Sequence, residues 1–128
     1  MLQALLVFIG GGLGALGRWG VSLLAERIWG NAWPWATLGV NVLGGFAMGV
    51  VMGHLMKAGA VTPANDNWRL FLATGILGGF TTFSAFSIET AKMIEAGHWQ
   101  SGAIYSISSV VLSVAAVFAG MALSRLNG

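Results

Sequence analysis

Residues 74–87 read Thr-Gly-Ile-Leu-Gly-Gly-Phe-Thr-Thr-Phe-Ser-Ala-Phe-Ser, a run of hydroxyls, glycines and aromatic rings inside a long apolar stretch. The hydroxyls of Thr81, Thr82, Ser84 and Ser87 compete for nearby backbone groups, and the pair Gly78 and Gly79 has poor helix propensity. An unpaired amide in hydrocarbon costs several kcal/mol, so irregular backbone there survives only when buried in protein or lining a wet cavity. The spacing therefore predicts a helix broken at mid-membrane, at Gly78 to Thr81, and a transport role for the segment. Phe80, Phe83 and Phe86 recur every three residues, which makes one aromatic face on a helix. Such a face packs against lipid or a neighbouring helix, or it solvates a small anion, because an aromatic ring is positive at its edge.

The composition requires a membrane around this segment. The chain is 56% hydrophobic and 8% charged, with a mean hydropathy of +0.80, whereas soluble domains carry about 25% charged residues. Six Lys/Arg stand against four Asp/Glu with no basic cluster, which argues against a nucleic-acid partner. The absence of cysteine removes disulfides, thiol nucleophiles and thiolate metal sites.

A helix needs about 20 apolar residues to cross a bilayer, and the uncharged stretches give four spans in a single domain over residues 1–128, at about 2–25, 36–56, 69–92 and 99–124. Polar breaks at 26–35, 57–68 and 92–98 separate them, and the two prolines, Pro34 and Pro63, lie in the first two breaks. Trp29, Trp33, Trp35, Trp68 and Trp99 sit in or beside these breaks, as an aromatic belt at the lipid headgroups would. The N-terminus carries no positive region or cleavage site of a signal peptide, so the first span is expected to remain in the mature protein. The expected fold class is thus an all-α membrane protein.

Four spans place Lys57, Arg69 and Arg125 toward one face and Arg18, Arg27 and Lys92 toward the other. Orientation follows an excess of cations on one side, and here there is none. Either the chain inserts both ways and pairs with an inverted copy, or Arg18 lies within the membrane and the remaining three against two decide. Gly10 and Gly14, Gly45, Gly49 and Gly53, and Gly75 and Gly79 form small-xxx-small pairs that let helices approach closely. They serve packing within one chain or between two.

Asn41 is the strongest hydrogen-bonding group on a second-span face shared with Thr37 and Gly44, and Tyr105, Ser109 and Ser113 form a hydroxyl stripe on the fourth. Buried hydroxyls in membranes more often tie helices together, at about 0.6 kcal/mol each, than line a pore. Their convergence with Thr82, Ser84 and Ser87 raises the pathway reading. Arg18 and Glu89 lie near span ends; an intramembrane ionisable group is a functional hypothesis, and Arg18 would draw anions to a vestibule. A snorkelling Arg, and a Glu in an ion pair or at the headgroups, are the structural alternatives.

Enzyme chemistry finds no support: there is no Gly-x-Ser-x-Gly, His-Glu-x-x-His or Gly-rich phosphate loop in the sequence. A small dual-topology multidrug or cation exporter is the serious competitor. It would be expected to carry a carboxylate deep in a span, whereas Glu26, Asp66 and Glu95 fall in the polar breaks and Glu89 at the end of the third span.

The run from Gly78 to Ser87, with Gly-Ala-Leu-Gly-Arg-Trp at 14–19 and Thr-Leu-Gly-Val-Asn-Val-Leu-Gly-Gly at 37–45, resembles the Fluc/CrcB family of fluoride channels over essentially the whole chain. The resemblance implies a passive fluoride channel that confers fluoride resistance, built as an antiparallel dual-topology homodimer in lipid of the bacterial inner membrane, with a structural Na+ at the dimer interface. It makes Phe83 and Phe86 the ring-edge anion sites and Asn41 a pore-facing polar group. It sets Thr82, Ser84, Tyr105, Ser109 and Ser113 on or near the polar track and pore wall, and makes the carbonyls of Gly78 and Thr81 sodium ligands. Ala85 stands where the family commonly has Thr, so one hydroxyl of that track is missing.

Overall fold

The computed structural model describes residues 1–57 and 63–127; part of the second polar break, 58–62, lies outside them. Among the described residues, four helices are long and apolar enough to cross a membrane: Leu2–Trp29, Trp35–Lys57, Asn65–Glu95 and Trp99–Leu126. The chain is therefore an all-helical, multi-pass membrane protein. The helices run a few residues beyond the uncharged stretches because the flanking Glu26, Arg27, Lys92 and Glu95 extend them into the headgroup layer. Gly30 and Gly97, at φ 72° and 83°, turn the chain out of the first and third spans.

Two helix pairs make the bundle. The second span packs along the fourth, and the first packs along the N-terminal half of the third. Glycines permit both contacts. A Cβ on Gly10 would lie 2.6 Å from Phe71 O, and one on Gly14 or Gly79 would run into Ile76 O or Gly11 O. On the other pair a Cβ at Gly45 would meet Ser113 O at 2.9 Å, and one at Gly49 would overlap Val117 O. All four small-residue pairs thus lie in contacts within the chain, mostly of backbone with backbone, while Gly53 makes room for the Ser124 side chain.

The third span is wound irregularly. Arg69–Leu77 forms a π-helix, a wide winding that is rare and usually short; no residue pattern announced it. Helical geometry resumes through Gly78–Phe80 and lapses at Thr81 (φ −80°, ψ 158°) and Thr82 (φ −151°, ψ 116°), before Phe83–Glu95 begins. The sequence placed the irregularity at Gly78 to Thr81. Gly78 is helical (φ −62°, ψ −38°), and its neighbour Gly79 supplies close approach to the first span, where a Cβ would run into Gly11 O, rather than conformational freedom. β-Branched threonines accept extended backbone readily, and Thr82 Oγ1 caps the next helix by accepting from Ala85 N–H at 3.1 Å.

This geometry also divides the three-residue aromatic repeat. Phe80 precedes the extended pair and packs beside Gly17 and Gly44, 3.4 Å from where a Cβ on either would sit. Phe83 and Phe86 follow it and turn elsewhere.

Candidate functional site

A groove of about 390 Å³ opens where the extended residues meet the second and fourth spans. Asn41 and Gly44 form one wall, Thr81, Thr82, Phe83 and Phe86 a second, and Ser109 and Ser113 a third. The rings of Phe83 and Phe86 are tilted by 49° with centroids 5.4 Å apart. Phe83 is 76% exposed on the single chain, so the groove is open on that side.

The polar groups in the groove differ in how they are satisfied. Asn41 Oδ1 accepts from Thr82 N–H at 2.8 Å, and its Nδ2 donates to Thr82 O at 3.0 Å. Ser84 and Ser87 are exposed and do not line the groove: Ser84 Oγ lies 3.3 Å from Thr82 Oγ1, and Ser87 donates to Phe83 O on its own helix. The hydroxyl oxygens of Ser109 and Ser113 are buried and, among the described residues, have no hydrogen-bond partner. An unmet hydroxyl costs on the order of 1–3 kcal/mol, and both are free to donate to something that enters.

Tyr105, fully buried, extends this arrangement beyond the groove. Its ring lies 5.4 Å from Phe86 and makes an edge contact with Trp33 at 5.8 Å. Its hydroxyl donates to Glu89 Oε2 at 2.7 Å, and Thr37 donates to Oε1 of the same carboxyl, also at 2.7 Å. Glu89 in turn lines a second cavity, of about 430 Å³, with Trp33, Lys92 and His98. Sequence reasoning left Glu89 between a functional role and a place at the helix end; in the structure it ties three spans together. The available signal was its position three residues after Phe86, on the same helical face.

Arg18 is not in the groove. Its Nε donates to Gly79 O at 3.3 Å, across the contact of the first and third spans. The carbonyls of Gly78 and Thr81 lose their ordinary helical donors: Thr82 N–H goes to Asn41, and Ala85 N–H goes to Thr82 Oγ1. Neutral carbonyl oxygens without a donor suit a hard monovalent cation. Gly78 lies on the exposed side of the chain.

The fold and groove thus define a four-span membrane protein in which two unpartnered hydroxyls and two aromatic rings gather beside the extended residues Thr81 and Thr82, which the Asn41 amide holds. The family model "CrcB-like protein, Camphor Resistance (CrcB)" matches residues 5–121, and the chain belongs to that family. It is 49% identical over 124 residues to "Fluoride-specific ion channel FluC 2" of Nitrobacter hamburgensis, covering 97% of this chain and 98% of that protein. It is 49% identical over 125 residues to "Fluoride-specific ion channel FluC" of Rhizobium etli, covering 98% of both. The protein of that name from Caulobacter vibrioides is 44% identical over 125 residues, 98% of this chain and 97% of its own length.

Proposed function

We propose that the chain is a fluoride-selective ion channel, not an enzyme, which lets cytoplasmic fluoride leave passively and so confers fluoride resistance. The observation that carries this is the meeting of two unpartnered buried hydroxyls, Ser109 and Ser113, with the rings of Phe83 and Phe86 in one groove. A fluoride ion is small and strongly hydrated, so a passage must replace its water with donors of positive charge density. Hydroxyl hydrogens and ring edges both qualify. Thr82, Ser84 and Tyr105 extend the donor series, and Arg18 contributes positive charge from the first span. Hydrogen fluoride enters uncharged from acidic surroundings and dissociates inside, so a selective leak removes fluoride with no coupled energy.

The working unit in this reading is an antiparallel homodimer in the bacterial inner membrane. Its supports are the near balance of cations, three against two once Arg18 is set inside the bundle, and the exposure of Phe83 and Gly78, which a second copy would cover. The interruption at Thr81 and Thr82 then lies at mid-membrane, against the pathway. The carbonyls of Gly78 and Thr81 from both copies would hold a structural Na+, whose charge offsets four oxygens that no donor satisfies.

Liposomes loaded with fluoride and containing the purified protein test the reading. Fluoride should discharge without a proton gradient, with chloride nearly retained. Equal loss of both halides, retention of both, or gradient-driven export of an organic cation would overturn it.

A further inference from the structure

We infer that Asn41 is a positioning residue that, together with Gly44, forms a socket holding Thr81 and Thr82 out of the helix. Oδ1 accepts from the N–H of Thr82 and Nδ2 donates to its carbonyl, at 2.8 Å and 3.0 Å. One side-chain amide therefore satisfies both backbone groups of one residue, the service a neighbouring β-strand gives an extended chain. Three residues on, along the same helical face, Gly44 leaves the space that the Thr81 methyl fills; a Cβ at 44 would overlap Thr81 Cγ2.

The alternative fold of this segment identifies what the socket does. Without the Asn41 amide, Thr82 has an unmet donor and an unmet acceptor in apolar surroundings, and both are unfavourable. The nearest repair is helical continuation, with Thr82 N–H returning to Gly78 O. Phe80, Phe83 and Phe86 would then share one helical face again, and the latter two would leave the groove for the side Phe80 occupies. Gly78 O would also be covered. Asn41 thus sets the place of the rings and keeps a carbonyl open, using the acceptor and one of its two N–H hydrogens. Its effect on ion passage rests on the channel reading; its effect on the backbone does not.

The test is carried out without fluoride on the full chain in lipid bilayers, by solid-state NMR of Thr81 and Thr82. The wild type should give extended-chain Cα and Cβ shifts at both residues. In Asn41→Ala those shifts should move toward helical values, or the Thr82 amide should exchange at least about tenfold faster, as expected for loss of a bond worth about 1.5 kcal/mol. Asn41→Asp keeps an acceptor for Thr82 N–H and should hold that amide within about threefold of the wild-type rate. Gly44→Ala, which leaves the amide in place, should displace the Thr81 shifts alone and keeps the test open if Asn41→Ala does not fold. Unchanged shifts and exchange in Asn41→Ala overturn the inference. They do so most directly if fluoride flux falls in the same variant, because the amide would then act on the ion itself. Absence of flux in the wild type would sink the channel reading and leave these backbone measurements valid.

Discussion

The ring of Phe86 rests against that of Tyr105, with centroids 5.4 Å apart and planes tilted by 47°. Phe83, by contrast, touches Phe86 and is otherwise largely open. The two rings that the family resemblance treats alike therefore have different structural weights. Phe86 is wedged between the groove and a buried tyrosine, while Phe83 stands at the edge of the single chain.

Replacing each with isoleucine separates ring chemistry from bulk, because Ile retains apolar volume and has no quadrupole. Phe83→Ile is expected to lower fluoride flux at least tenfold in liposomes and to lose only its one ring pair, with Phe86, so its stability loss should be smaller than that of Phe86→Ile, which loses two. Phe86→Ile should lower flux as much and also cost about 0.5–1.5 kcal/mol of stability from the lost contact with Tyr105. Wild-type flux in both variants would return the rings to ordinary packing.

The glycines offer a contrast inside one helix type. A Cβ at Gly14 or Gly49 would run into a backbone carbonyl of the facing span, whereas Gly12 and Gly20 have nothing within 4 Å. Gly14→Ala and Gly49→Ala are expected to lose about 1–3 kcal/mol or more, since backbone cannot move aside cheaply. Gly12→Ala and Gly20→Ala should be neutral or gain up to about 1 kcal/mol of helix propensity. Thermal unfolding of the four variants in detergent checks the ranking, and equal losses in all of them would contradict the packing argument.

The four spans were legible because about 20 apolar residues between charged breaks match the thickness of the bilayer's hydrocarbon core and little else. Of the polar groups expected to converge, Asn41, Thr82, Ser109 and Ser113 line one groove, whereas Ser84 and Ser87 lie outside its lining, because an isolated polar group stands out against an apolar helix but its direction does not. The position of the interruption was misread by a few residues: glycine is both a poor helix former and a close-packing residue, and only the facing helix decides which property is used. The π winding of Arg69–Leu77 left no pattern in the residues. Glu89 was undervalued because its partners, Thr37 and Tyr105, lie 52 residues before and 16 after it, and no local spacing connects them.

Orientation follows from the balance of cations. With Lys57, Arg69 and Arg125 toward one side, Arg27 and Lys92 toward the other and Arg18 held within the bundle against Gly79 O, the faces differ by a single cation, a weak positive-inside bias. A reporter fused after Gly128 is expected on both sides of the membrane in comparable amounts. Two lysines added to one set of linkers should shift most of it to one side. A single orientation in the unmodified chain would contradict the antiparallel dimer.

The proposed cation site would depend on which carbonyls the extended threonines release. Gly79 O is taken by Arg18, so it is unsuited to a metal, and the guanidinium prevents a further unmet acceptor. Gly78 O and Thr81 O have lost Thr82 N–H and Ala85 N–H to side-chain acceptors, and two copies would bring four such oxygens together. Four unsatisfied carbonyls in apolar surroundings repel one another and cost several kcal/mol each. Replacing sodium by a large organic cation should therefore lower the thermal midpoint of the dimer and slow fluoride flux, and restoring sodium should recover both. Arg18→Gln sharpens the test: with Gly79 O less firmly held, the site loses order and the sodium needed for half-maximal stabilisation should rise. Stability and flux that ignore sodium altogether would remove the cation from the site and leave the four oxygens to be satisfied by water.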